Sequence, residues 1–186
     1  MNDDTTVPGA ARLVRDFVNT YEPQEDAESL TSPDQLRAWF ARRHLLPAGA
    51  RLRPADLATA RTVREGLRAV LLDHAGHTGD PAALDALDRA LTDVPVRLTF
   101  ADGGPRLATA GGPHLAAALA GIVDAIRQCG EDGSWRRLKV CARDTCRWAY
   151  YDASRNQARR WCSMAGCGNY VKMRRAYATR TGRRPS

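Results

Sequence analysis

The chain has no long apolar run: nowhere do its 186 residues approach the ~18 consecutive apolar positions that a membrane-spanning helix requires. No export leader is expected either, because Met1-Asn2-Asp3-Asp4 is acidic where a secretory signal is basic and then apolar. Both absences point to the cytoplasm and against a membrane partner. That compartment is reducing, so the five cysteines are expected to be metal ligands or inert buried thiols and not a disulfide framework. Lysine is nearly missing, with two among 28 basic residues, a bias that a GC-rich genome also produces and that carries little weight. Acidic residues are scarce at one end only. Residues 1–135 hold 14 Lys+Arg and 19 Asp+Glu, a net −5, whereas residues 136–186 hold 14 against 2, a net +12. This segregation of sign fits the C-terminal part for a polyanion.

Catalytic signatures are also wanting. No Gly-rich phosphate loop precedes a helix, no serine sits in a nucleophile elbow, and no internal repeat is evident. Asp73-His74-Ala75-Gly76-His77 places two histidines three apart, but no Glu lies between them and no third ligand is near in sequence, so they read as solvated helix-end residues. His44 and His114 are isolated. No enzymatic activity is expected.

What is present is helical periodicity, then a change of pattern. Leu13, Val14, Phe17 and Tyr21 fall at helical spacing over residues 11–21, before the polar stretch 22–28. Ser32-Pro33-Asp34-Gln35 combines a capping residue, a first-turn proline and a Gln three residues on, so a second helix should start here, turn Leu36, Trp39 and Phe40 inward and stop near Pro47. Pro54 opens the longest run, with Leu57, Ala60, Val63, Leu67, Val70 and Leu71 recurring up to Gly76, and Asp80-Pro81 starts another that ends about Leu91. Val96-Arg97-Leu98-Thr99-Phe100 alternates, and Asp102-Gly103-Gly104 leads into Arg106-Leu107-Ala108, which predicts a β-hairpin. A further helix follows over residues 113–129, carrying Leu115, Leu119, Ile122, Val123 and Ile126, and the polar linker 130–134 marks a boundary between residues 1–134 and 135–186.

The second part holds Cys141-x4-Cys146-x15-Cys162-x4-Cys167, two close pairs separated by a loop, the spacing with which one chain wraps four thiolates around a tetrahedral ion. Leu138-Lys139-Val140 and the segment from Arg147 to Tyr151 read as strands of a hairpin, and Tyr170 to Tyr177 has a helical pattern. The expected fold is therefore α+β, mainly α: an N-terminal helical domain with a small β-hairpin, then a treble-clef-like four-cysteine zinc finger. Four cysteines fill the coordination sphere and leave no place for a catalytic water, so Zn²⁺ is expected in a structural role. Its binding supplies folding free energy that a segment poor in apolar residues lacks. Cys129, closing an apolar helix, reads as a buried thiol.

Basic residues crowd the metal ligands, and Arg143, Arg147, Arg155, Arg159, Arg160, Lys172, Arg174 and Arg175 are the candidate nucleic-acid contacts. On a helical wheel Tyr170, Met173 and Tyr177 share one stripe, expected to pack, with Lys172, Arg175 and Thr179 opposite it.

The residues from Leu138 to Cys146, with Trp148, Tyr151-Asp152, Arg155-Asn156, Arg159-Arg160-Trp161-Cys162-Ser163-Met164 and Cys167-Gly168-Asn169, resemble the CGNR zinc finger family of bacterial proteins over about 137–177. In that family the finger follows a helical domain called ABATE, whose opening is similar to the segment from Leu13 to Thr20 here. The resemblance implies a stress-induced transcription regulator whose finger binds DNA. One position departs: Tyr170 stands where the family's name has Arg. If that Arg contacts DNA a contact is lost; if it braces the finger, Tyr170 stacks in its place.

Duplex DNA is thus the leading partner, through phosphate contacts from Arg and Lys. The competing reading is a finger for RNA, single strands or a protein partner, with Trp148, Trp161, Tyr150 and Tyr151 stacking on bases or else forming the finger's own small core. The helical part is read either as the seat of a small-molecule effector or as the contact that pairs two copies in a homodimer.

Overall fold

The computed structural model describes residues 6–47, 49–100 and 104–181, except the side chains of Arg175 and Thr181. Helix α1 (Gly9–Val18) buries Ala11, Val14, Phe17 and Val18 on one stripe. It ends before Tyr21, which lies instead in a short strand, β1 (Tyr21–Glu22), paired antiparallel with β2 (Ala27–Glu28) inside the stretch that looked merely polar.

Helix α2 (Pro33–Ala41) starts as expected: Ser32 accepts from the Gln35 amide at 3.2 Å, and the Gln35 side chain reaches back to the Thr31 amide. It stops well short of Pro47, because the chain turns at His44, where φ is +57°. Phe17, Trp39 and Phe40 form an aromatic knot with ring centroids 5.3–5.9 Å apart. Each ring so buried contributes about 1.5–3 kcal/mol.

The longest helix, α3 (Pro54–His74), is central, and Ala60, Val63, Leu67 and Leu71 are buried along it. Against it lies α4 (Pro81–Thr92), capped by Asp80 at 3.0 Å from the Ala82 amide. The approach is close because α3 has glycine at position 66, where a Cβ would stand 2.4 Å from the Leu87 Cβ. The hairpin β3 (Val96–Thr99) and β4 (Arg106–Thr109) pairs Leu98 with Leu107, while Asp102 and Gly103 of the expected turn lie outside the described residues. Helix α5 (His114–Glu131) packs on α1 and β4, and its buried Asp124 accepts from the Leu107 amide at 2.8 Å. Cys129 is fully buried at its end.

Beyond α5 a short 3-10 turn leads into β5 (Leu138–Val140), antiparallel to β6 (Ala149–Tyr151). Leu138, Val140, Ala149 and Tyr151 join the same hydrophobic core as the helices. A π-turn (Met164–Gly168) then runs into α6 (Asn169–Thr181). The described residues contain no helix long and apolar enough to cross a membrane.

Candidate metal centre and its basic surroundings

The two cysteine pairs are placed by ordinary backbone bonding. The Cys141 amide donates to the Trp148 carbonyl at 2.9 Å, extending the β5–β6 ladder, and the Cys146 amide closes a turn on the Arg143 carbonyl at 2.9 Å. Arg147, next in sequence, has φ +50°, a conformation L-residues adopt at some cost. On the second pair, Ser163 caps the π-turn, its hydroxyl and carbonyl accepting from the amides of Gly166 and Gly168. Gly168 fits closely there, since a Cβ would come within 3.0 Å of the Met164 sulfur and 3.2 Å of the Trp161 ring, and those side chains would have to give way slightly. The Ala142 amide donates to the Arg160 carbonyl at 2.9 Å and joins the two knuckles.

As a result the four sulfurs of Cys141, Cys146, Cys162 and Cys167 lie within 4.8 Å of one another. The Cys146–Cys162 and Cys162–Cys167 sulfur separations are both 3.7 Å. A tetrahedron with metal–sulfur bonds of about 2.3 Å has edges of about 3.8 Å, so the donor set fits a single tetrahedral ion. Its charge chemistry agrees. Hydrogen bonds from Cys146 and Cys162 hold Cys141 down as a thiolate, while the hydrogen bond to Cys141 pushes Cys146 and Cys162 up, so the bare cluster resists ionising at every sulfur. A bound cation would offset that repulsion and let all four act as thiolate ligands. Trp148 and Trp161 pack around the cluster as its small core.

The loop between the pairs is organised by Asp152, which is fully buried. It accepts from the Lys139 ammonium at 2.9 Å, the Ser154 amide at 3.0 Å and the Arg159 amide at 3.0 Å. Burial opposes its ionisation, but these donors outweigh it and hold the carboxyl below the usual carboxylate range. Lys139 also donates to the Gln157 carbonyl, so its charge is spent inside the finger.

The candidate nucleic-acid contacts divide into two sets. Arg155, Arg160, Lys172 and Arg174 are exposed. Arg143, Arg147 and Arg159 are half-buried and engaged locally: Arg147 pairs with Asp144 at 2.7 Å, and Arg159 donates to the Trp161 and Cys162 carbonyls. Arg143 donates to Thr145 at 2.9 Å and points a guanidinium nitrogen at the Cys167 sulfur, 3.8 Å away. The Arg175 side chain lies outside the described residues. Tyr170 sits under Arg143, 3.9 Å from guanidinium carbon to ring centroid, the bracing role open to it at this position. The stripe expected to pack does not: Tyr170, Met173 and Tyr177 are 40%, 72% and 61% exposed, because α6 leaves the body with only the π-turn as its principal neighbour.

Residues from the helical part fasten the finger, although no motif in the sequence marks them for this. The Asn19 side chain donates to the Ala149 carbonyl at 2.9 Å and accepts from its amide at 2.8 Å, imitating a third strand at the edge of β6. Buried Arg68 donates to the carbonyls of Val18, Tyr21 and Arg147. His74 is not a solvated helix-end residue: its Nδ1 lies 2.9 Å from the Leu138 carbonyl, which as an acceptor requires the proton on Nδ1, and Trp135 packs edge-on at 5.1 Å. Burial lowers its pKa.

A helical body with a four-cysteine finger packed against it defines the class: a larger helical domain carrying a small candidate metal-binding module. The chain belongs to the ABATE family, described as "Putative stress-induced transcription regulator", which matches residues 11–145, and it carries a CGNR zinc finger over residues 137–180. The two matches overlap over residues 137–145, which include β5, a strand built into the main hydrophobic core. No curated protein matches the chain.

Proposed function

We propose that the protein is a DNA-binding transcription regulator whose finger, folded around a structural Zn²⁺, presents a basic surface to the duplex backbone. The observation that carries this reading is the location of the charge. Residues 136–186, the part of the sequence that holds the finger, carry a net +12 against −5 for residues 1–135, and Arg155, Arg160, Lys172 and Arg174 are exposed. An all-thiolate site suits zinc and has no open position for a catalytic water, so the role is binding and not turnover. The test is binding to duplex, single-stranded DNA and RNA at two salt concentrations, with and without chelator. Duplex affinity should fall with salt by about 0.9 log units per log unit of salt for each phosphate neutralised, and should vanish on chelation. Absence of binding to every nucleic acid at low salt overturns the reading.

The exposed Tyr170, Met173 and Tyr177 favour a second reading, a finger that stacks on single-stranded bases or docks on a protein. Preference for single strands over duplex in the same assay selects it. An effector has a place in a cleft of about 890 Å³ between α1 and the finger, lined among others by Arg15, Asn19, Trp148 and Arg159. A thermal-shift screen tests that, and light scattering tests for a homodimer pairing two fingers.

A further inference from the structure

We propose that His77, from the helical body, completes a phosphate-binding cleft with Arg143, Arg160 and Arg174 of the finger, so that one backbone phosphate of a nucleic acid is held across the junction. The inference rests on the nucleic-acid reading and assigns it a site.

The cleft, of about 420 Å³, lies where the turn after α3 meets the first knuckle and the first turns of α6. Three guanidinium groups line it. Among the described lining residues Asp144 is the one carboxylate, and it is committed to Arg147 at 2.7 Å. The lining is therefore net positive, which suits an anionic ligand. Arginine's fork of N–H donors matches the oxygens of a phosphate.

The donors are already positioned. Arg143 is stacked on Tyr170 and tied to Thr145, and Arg160 lies 5.6 Å from the Trp161 ring centroid. Thr145, whose oxygen accepts from Arg143, keeps its own hydroxyl proton to donate. Side chains ordered before binding lose less entropy when the ligand arrives.

His77 supplies the independent observation. Its Nε2 is buried with no hydrogen-bond partner among the described residues, in a ring that lines this same cleft. A buried polar atom without a partner is rare and calls for an explanation. A phosphate oxygen accepting from Nε2–H satisfies it, and places the ligand between the two halves of the molecule.

The test uses the full-length, metal-loaded protein and four variants: His77→Phe, His77→Gln, Arg160→Ala and the double variant His77→Phe/Arg160→Ala. Metal content and far-UV circular dichroism confirm folding, and Arg160, being exposed, provides a variant that does not disturb the core. His77→Phe is expected to weaken duplex binding about tenfold, the scale of a hydrogen bond to a charged group, with the salt slope kept. His77→Gln, which keeps a donor, recovers part of that loss. Arg160→Ala lowers the slope by about 0.9, one phosphate contact. In the double variant the two losses fall short of additive, because both residues serve one phosphate. The ¹⁵N resonance of His77 Nε2 is followed during titration with duplex and, separately, with inorganic phosphate against chloride at matched ionic strength. A shift with duplex supports the proposal. Duplex binding by wild type, with the Nε2 resonance and the affinities of His77→Phe and Arg160→Ala unaffected, overturns the cleft while the DNA reading stands. A shift with inorganic phosphate but no binding of duplex overturns both the backbone source and that reading.

Discussion

At the scale of single residues the finger depends on a buried ion pair that looks in sequence like two unremarkable charges. Lys139 and Asp152 are each withdrawn from water and meet at 2.9 Å. Asp152→Ala leaves a buried ammonium without its counter-charge and is expected to cost about 3–5 kcal/mol, read as a lower denaturant midpoint of the metal-loaded protein. His74 gives a pH dependence. Its folded pKa is lowered by burial, so below the unfolded value near 6.5 the unfolded chain binds more protons than the folded one. The stabilisation from neutral His74 is complete above that value and is lost as pH falls through the lower, folded one. His74→Gln keeps a donor for the Leu138 carbonyl without titrating, so its stability should decline less steeply than wild type between pH 7 and 5. Urea melts at matched zinc saturation measure the difference, and equal slopes refute it.

At the scale of elements, α3 against α4 and the finger against its metal behave differently. Gly66→Ala gains roughly 1 kcal/mol of helix propensity, yet the new methyl overlaps the Leu87 side chain and crowds the Ala83 carbonyl at 3.0 Å. Overpacking costs about 1–3 kcal/mol and should win, giving a lower melting temperature. Chelation should act unevenly. β5 and β6 are anchored in the main core by Leu138, Val140, Ala149 and Tyr151, whereas α6 exposes Met173 and Tyr177 and rests on the π-turn that ends in the last ligand. Hydrogen exchange after metal removal is expected to show lost protection over residues 159–181 with β5 and β6 still protected. Uniform loss along the chain contradicts this.

For the whole molecule, the decisive contacts are those between body and finger. Arg68 joins the end of α1 to the left-handed Arg147 beside the first cysteine pair, through carbonyls at 2.6, 2.9 and 2.8 Å. Arg68→Met keeps the apolar stem but strands those carbonyls, at about 1–3 kcal/mol for each buried group left unpaired. Hydrogen exchange should then quicken in β6 as well as at the end of α1, whereas a purely local role leaves β6 unchanged. Asn19 and His74 add two further links between the same parts, so the finger's orientation is fixed by side chains scattered over α1 and α3.

The sequence alone determined the helical starts, because capping and proline at Ser32-Pro33 and Asp80-Pro81 are local chemistry, and it picked out the four cysteines that cluster as a candidate metal site, because two close pairs are the spacing that brings four sulfurs together. It also carried the asymmetry of charge. Only the tertiary structure decided which charges are engaged inside the finger. Lys139, Arg147 and Arg159 find partners nearby in space, and such partners are invisible to spacing along the chain. It likewise decided that the Tyr170–Met173–Tyr177 stripe faces outward, since amphipathic periodicity states which residues share a face but not whether another element arrives to cover it. The fastening of finger to body was beyond the sequence for the same reason: Asn19 and Ala149 are 130 residues apart, and a side-chain amide imitating a strand leaves no periodic trace.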